Sequence, residues 1–411
     1  FKPYIFRTKN YGQTWERMID EKKVRGYALC MIQDPVEPNL IFVGTEHGLW
    51  ISFDNGATFQ QWKNGYPSVS TYDMAIQERE SDLVIGTFGR AIYVFDDIKP
   101  LRKAAANNGN NFSKKLTVFP APEAYMARYR PGPGYDWSSW GLYEGDNRGR
   151  GASYSFYIKP DTTKKAKADS ALVKIYNQHN ELIRTLKYKA DTGFNRNNWG
   201  FEMNGIRQPG SPKPKPNAGE PRGQSVFPGT YKMVITVGKE SDSTMIVVNH
   251  DPTAPDSKEV YDAKVKMMER LDRSTMRLTE VTDRLTEAEE TIAKIEGQLK
   301  NEEGKAIDSL KKAGKAMTDS IKSIRNFIFG KPQEKQGYGS PYQLTVNGTL
   351  SDARSEVLRK IKVPDQQEIR LATEAEQLVD EAVQKTNTFF NSKWEDYKKL
   401  VDNTPVSLFK P

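Results

Sequence analysis

Gly44-Thr45-Glu46-His47-Gly48-Leu49-Trp50-Ile51-Ser52-Phe53-Asp54 aligns without a gap on Gly86-Thr87-Phe88-Gly89-Arg90-Ala91-Ile92-Tyr93-Val94-Phe95-Asp96, at an offset of 42 residues. The Gly-Thr and Phe-Asp pairs are identical, and the positions between them keep their apolar character. A partial third copy precedes them. Arg7-Thr8-Lys9-Asn10-Tyr11-Gly12-Gln13-Thr14-Trp15 matches Ile51-Ser52-Phe53-Asp54-Asn55-Gly56-Ala57-Thr58-Phe59 at an offset of 44. Self-similarity at a fixed period is the mark of a repeat architecture, and short β-rich runs at this spacing imply four strands per repeat.

The element shared by the last two segments has the form [S/T]-x-[D/N]-x-G-x-T-[W/F]. Asn10 or Asp54 can bond backbone N–H groups across a turn, Gly12 or Gly56 supplies a positive φ, and Trp15 or Phe59 is expected to fold back into the sheet. Alternation and turn signals predict strands at residues 27–33, 40–44, 49–53 and 58–62, then 71–77, 83–86 and 92–95. The motif resembles the Asp boxes, or BNR repeats, of sialidases and sortilin-type β-propellers. In that setting Asn10, Gly12, Trp15, Asp54, Gly56 and Phe59 are structural, and residues 1–101 are expected to be closing blades of a propeller. The last blade is one strand short, and two and a half blades leave exposed edges. The missing partner is therefore expected upstream, carried on another chain or removed.

Residues 102–151 read as a linker. It holds a polar stretch from Ala104 to Asn111, then an aromatic, Gly-rich segment with Tyr125, Tyr129, Tyr135, Trp137, Trp140 and Tyr143. These rings suit either stacking platforms for sugars or staples between domains. Residues 152–251 return to a period of two and read as a small sandwich, with Trp199 as its core aromatic and a Pro- and Lys-rich loop at 208–216 that is expected to be exposed. The segments at 175–186, Asn198-Trp199-Gly200 and Phe227-Pro228-Gly229-Thr230-Tyr231 are similar to the Ig-like module that also occurs in flagellar hook-capping proteins.

Residues 252–411 change to a period of 3.6. Four amphipathic helices are expected, the third capped at Thr349 or Ser351 and the fourth beginning at Asp365. One apolar stripe per helix suits an antiparallel bundle. A di-metal bundle would need inward histidines, and this region has none. The expected fold is thus multidomain: partial all-β propeller blades, an Ig-like β-sandwich and a C-terminal α-helical bundle.

The chain of 411 residues has a net charge of +8, a pI of about 9.1 and a mean hydropathy of −0.72. Basic and acidic residues are spread together along it, which argues for general solvation over a nucleic-acid stripe. No apolar run is long enough to span a bilayer. Cys30 is the only cysteine, so an intrachain disulfide framework and CxxC metal sites are excluded; it is expected to be a small buried hydrophobe. His47, His179 and His250 have no ligand spacing. No Ser-His-Asp set, phosphate loop or paired-carboxylate site is legible, and neither a cofactor nor a metal is expected. Glu46, His47 and Arg90 fall on turns after inner strands, where ligand contacts are expected, with Tyr135, Trp137 and Trp140 as further candidates.

The order of modules, with the segment from Gly86 to Leu101, resembles large exported proteins of the Bacteroidetes type described as sortilin-like or BNR glycosyl-hydrolase-like. That resemblance implies an extracellular or outer-membrane location in a Gram-negative bacterium. Two functions follow. One is a binding scaffold for a protein, peptide or glycan whose Ig-like and helical modules dock to a larger, outer-membrane assembly. The other is a sialidase-like glycoside hydrolase whose centre lies in upstream blades.

Overall fold

A computed structural model describes residues 2–106, 113–126, 149–160, 169–215, 218–253, 257–332 and 343–404. Contacts divide the chain into two units: residues 1–203 with 224–255, and residues 204–223 with 256–411.

The first unit begins with a two-stranded ladder, β1 (Phe6–Arg7) and β2 (Glu16–Arg17), followed by an antiparallel meander of β3 (Ala28–Gln33), β4 (Ile41–Thr45), β5 (Gly48–Ser52) and β6 (Gln60–Trp62). A second meander holds β7 (Thr71–Gln77), β8 (Asp82–Thr87) and β9 (Ile92–Phe95). These bounds lie within two residues of those expected from alternation. Both meanders carry a β-bulge at the same place, between Ala28 and Cys30 and between Thr71 and Asp73. The gapless alignment of the hairpins is corrected, however. Thr45 pairs with Gly48 across a two-residue turn, whereas Thr87 N–H bonds Ala91 O at 3.0 Å across a three-residue one. Structural equivalence along β5 and β9 is therefore offset by one residue from the sequence alignment.

The two repeat turns are built alike. Ser52 Oγ donates to Asp54 Oδ1 at 2.8 Å and accepts Gly56 N–H at 2.8 Å; Thr8 Oγ1 donates to Asn10 Oδ1 at 3.0 Å and accepts Gly12 N–H at 2.8 Å. Thr58 N–H and Thr14 N–H reach Asp54 Oδ1 and Asn10 Oδ1, each at 2.9 Å. The last bond reverses with the chemistry: Thr58 Oγ1 donates to Asp54 Oδ2, while Asn10 Nδ2 donates to Thr14 Oγ1. Asn55 and Gly56 have φ of 53° and 83°, and Tyr11 and Gly12 have 53° and 88°, so both turns need two left-handed residues. Burial works to raise the Asp54 carboxyl, but hydrogen bonds from the Thr58 side chain and amide and from Ser52 hold it below the usual carboxylate range. The two aromatics diverge. Phe59 packs with Met18, Ile41 and Val43, as expected. Trp15 is 61% exposed and bonds back to Gly12 O, because no core cluster of the described residues reaches it.

Behind β9 the chain forms α1 (Lys99–Ala105). The expected polar loop from Ala104 is corrected to the end of this helix, whose Leu101, Ala104 and Ala105 are buried with Phe42, Leu49, Ile51, Leu83 and Ile85; residues 107–111 lie outside the described residues. Arg102 ties α1 to both meanders. Its Nε lies 3.0 and 2.9 Å from the buried Asp34 carboxylate, and its Nη1 donates to Ser81 Oγ at 2.9 Å.

Two further sheets enclose one core. One has the order β10 (Leu116–Val118), β12 (Ala152–Ile158), β15 (Gly193–Trp199); the other runs β11 (Ala124–Tyr125), β19 (Glu240–Asn249), β18 (Gly229–Val237), β13 (Asp169–Tyr176), β14 (Leu182–Ala190). Trp199 is fully buried there, as expected, with its Nε1 bonded to Glu202 O at 2.9 Å. The strands β16 (Glu202–Asn204) and β17 (Arg222–Ser225) carry the chain out of this unit and back.

The second unit contains α2 (Lys258–Gln298), α3 (Lys305–Phe329), α4 (Val346–Arg359), α5 (Gln366–Phe389) and α6 (Glu395–Asp402), with a π-helical turn at Phe390–Trp394 joining the last two. Asp365 begins α5, as expected, and caps it in a full capping box with Glu368. The cap of α4 is Thr345, at least one turn before the expected Thr349 or Ser351; both lie inside the helix, Thr349 buried. The expected antiparallel bundle is corrected. Arg270, Arg277 and Arg284 recur at sevens and meet Glu376, Asp380 and Asn387 in the same order along the chain, so α2 and α5 run parallel. Arg325–Glu289 and Arg354–Asp272 instead set α3 and α4 antiparallel to α2, one after the other along its length. The apolar stripe of α2 runs from Met268 to Ile295, longer than either shorter helix can cover alone. Segment 204–223 belongs to this unit; in its loop at 208–216 Gln208 and Gly210 are exposed, as expected, while the stem is anchored. Arg207 pairs with Asp283, Thr279 Oγ1 donates to Arg207 O, Gly210 N–H reaches Thr282 Oγ1 at 3.2 Å and Pro209 is buried; residues 212–215 are exposed.

Two stability changes are expected. Arg102→Ala strands the buried Asp34 charge and should cost about 3–5 kcal/mol in calorimetric or denaturant unfolding, whereas Arg359→Ala, at a surface pair, should cost under about 1 kcal/mol. Asp54→Ala should cost about 1–2 kcal/mol at pH 7 through lost turn bonds. Asp54→Asn should retain the turn, as Asn10 does. Because the folded carboxyl sits below its unfolded value of about 3.9, its contribution is complete above that pH and is lost as pH falls through the folded value. Acid unfolding curves of the Asn variant should lack that component.

Candidate functional site

Three of the expected contact residues lie at one end of the two meanders. Glu46 and His47 form the two-residue turn of β4–β5, and Arg90 closes the three-residue turn of β8–β9. Ser70 ties the two turns together: its hydroxyl donates to Glu46 O at 3.2 Å, and its carbonyl accepts Phe88 N–H at 2.9 Å. The turns are braced from behind. Thr45 Oγ1 accepts His47 N–H at 3.1 Å and Gln61 Nε2 donates to His47 O at 2.7 Å. His47 Nε2 lies 3.6 Å from Glu46 Oε1, and both side chains close over Gly26, where a Cβ would sit 2.9 Å from each. Arg90 is exposed and holds no ion pair among the described residues. Beside it, the exposed rings of Tyr72 and Phe88 stand 5.7 Å apart.

This end thus offers a carboxylate, an imidazole, a guanidinium and the Phe88 ring on braced turns, with the Tyr72 ring beside them at the start of β7. Such a set can bind; it contains no nucleophile held by a base. Among the described residues no group of three or more His, Cys, Asp or Glu side chains could hold a metal ion. Tyr135, Trp137 and Trp140, with Tyr129 and Tyr143, lie outside the described residues. Tyr125 is exposed on β11.

Cys30 is half-buried, its Sγ 3.5 Å from Thr71 O, and burial pushes its thiol up to about 11, in keeping with a small packed hydrophobe. It marks a close approach between the two meanders. A Cβ on Gly44 would lie 2.5 Å from Cys30 Sγ and 2.6 Å from Thr71 O. On that face of the first meander Phe42, Leu49 and Ile51 are fully buried. By ladder position their equivalents in the second meander are Val84, Ile92 and Val94, with Gly86 for Gly44. Ile92 and Val94 are 69% and 56% exposed, and a Cβ on Gly86 would meet nothing closer than Asp73 O at 3.7 Å.

A site with no sequence signal lies where the β7–β8 turn and the end of β9 meet β12 and β15. It is a cavity of about 410 Å³ lined by Arg79, Asp96, Asp97, Lys99, Tyr125 and Arg196 among others. Burial pushes the Asp97 carboxyl up, against the pull of Arg196 and Lys99. Arg196 is committed to structure, donating to Asp96 O and Asp97 O and, through Nε, to Ser155 Oγ at 3.1 Å. No helix of the described residues is long and apolar enough to cross a membrane.

No family model and no curated protein matches this chain. Among solved structures, it is matched to the extracellular domain of a putative hybrid two-component system from B. thetaiotaomicron, at 8% identity and a TM-score of 0.20, over 59% of this chain and 29% of that one. A second structure, titled pT26-6p, is matched at 11% identity and a TM-score of 0.10, over 61% of this chain and 46% of that one. The chain spans less than half the length of either, and at these scores neither likeness bears on fold or function.

Proposed function

We propose that the protein is a binding scaffold in which β3–β6 and β7–β9 are neighbouring blades of an Asp-box propeller and the open face of β7–β9 receives a further blade. The carrying observation is the fate of equivalent positions in the two sheets. The apolar face around Gly44 is covered by the next sheet, whereas on the same face around Gly86 no sheet of the described residues lies over the exposed Ile92 and Val94. A sheet does not keep Val84, Ile92 and Val94 on one face for contact with water. The repeated bulges support the same reading, since they mark the two meanders as copies of one unit, and the alike turns of β1–β2 and β5–β6 extend the repeat to the preceding ladder.

The two-sheet core that follows is proposed to be Ig-like. Tyr231, near the start of β18, donates its hydroxyl to Phe227 O and packs edge-on to Trp199 at 5.2 Å, the arrangement of a tyrosine corner beside a core tryptophan. On this reading the turns bearing Glu46, His47, Phe88 and Arg90, with Tyr72 of β7, face a protein, peptide or glycan ligand, and the Ig-like and helical modules dock to a larger assembly. The extracellular or outer-membrane setting is part of the proposal and draws on the sequence resemblance.

The test uses benzoylphenylalanine, a photo-crosslinking residue, at Val94 in the protein expressed in its native host. Mass spectrometry should find it joined to a segment with its own Asp-box turn, from the same or another chain; the same probe at Tyr11, exposed on an outer turn, should not be. Gly86→Leu should abolish that crosslink without lowering the melting temperature of this chain. Gly44→Ala should destabilise it by about 1–3 kcal/mol through overpacking. Crosslinks from Val94 indistinguishable from those of Tyr11 would overturn the reading.

A further inference from the structure

Between β6 and the β14–β15 turn lies a cleft of about 660 Å³, within the size range of small-ligand sites. Its wall is aromatic. The rings of Trp62 and Tyr157 stand 6.0 and 5.3 Å from that of Phe194, and Trp62 Nε1 is fixed on Asn64 O at 2.8 Å. The floor is held by Asn195, whose amide donates to Asp191 O and Gly193 O while its Oδ1 accepts Asp191 N–H. The rim is uncommitted. The side chains of Gln60, Lys63, Asn64, Asp191 and Thr192 hold no hydrogen bond or ion pair among the described residues.

The chemistry narrows the ligand. Ring faces take up the C–H faces of a pyranose, while planar amides, a hydroxyl and a carboxylate suit vicinal sugar hydroxyls, which both donate and accept. The one ammonium and one carboxylate of the rim cancel, so the cleft lacks the net positive charge that an acidic glycan or nucleic acid would require. We propose that this cleft binds a short neutral oligosaccharide. The inference rests on the glycan branch of the reading above and supplies its site, away from the turns that carry Glu46 and Arg90.

The experiment titrates the 411-residue chain with neutral hexasaccharides (maltohexaose, cellohexaose, laminarihexaose, xylohexaose and mannohexaose), followed by calorimetry and tryptophan fluorescence. At least one should bind and perturb the emission. The double variant Gln60→Ala, Asn64→Ala should weaken binding about tenfold with an unchanged melting temperature, because two hydrogen bonds are lost from an exposed rim. Arg79→Ala, in the other cavity, should leave binding unaltered. No binding by any sugar would overturn the proposal, as would a peptide pool that competes at the cleft. Sugar binding indifferent to the double variant would remove the cleft and leave the glycan reading standing. Crosslinking at Val94 reports on the blade reading independently of all three outcomes.

Discussion

The β unit is organised around one close approach, the backbone of β4 at Gly44 against Thr71 of β7. A methyl group there would overlap both Cys30 Sγ and Thr71 O, so only glycine lets the two meanders close. Much else follows from that distance. Phe42, Leu49 and Ile51 lose all contact with water, Cys30 becomes a packed hydrophobe, and Ser70 can join the turns that carry Glu46 and Phe88. Arg102 then closes the opposite end by spanning Asp34 of one meander and Ser81 of the other. Such a buried pair contributes little net stability, but it is costly to break, so it enforces a single arrangement.

The second unit answers a different constraint. Its longest helix carries an apolar stripe that neither α3 nor α4 can cover, and the two lie along it in sequence while α5 follows it in parallel. Arginines spaced by seven along α2 meet acidic or amide partners on α5, which sets the register between two stripes that hydrophobic contact alone would leave free to slide. The buried threonines of α2 bond carbonyls one turn back, and Thr279 and Thr282 also hold segment 204–223. Polar side chains inside a helix interface thereby serve a strap rather than a ligand.

Local patterns were legible where a residue's role is set by its near neighbours. The turn of Ser52, Asp54, Gly56 and Thr58 is closed by bonds spanning two to four residues, so its spacing announces its geometry, down to the exchange of acceptor for donor between Asp54 and Asn10. The capping box at Asp365 is local in the same way. The fate of Trp15 was not legible, because whether an aromatic is covered depends on the sheet across from it. Arg196, Asp97 and the aromatic cleft carried no signal for the same reason: their partners lie about 40 to 130 residues away in sequence.

By itself the sequence determined the repeat, its turns, the strands and the amphipathic helices, because dihedral preference, capping and periodicity act over a few residues. Tertiary structure alone decided which copy of a repeated apolar face is covered, which glycine of the pair Gly44 and Gly86 is indispensable, the one-residue slip between the two hairpins, and the parallel course of α2 and α5. Those outcomes depend on what lies across a gap of a few ångströms, and the residues that fill it are distant along the chain.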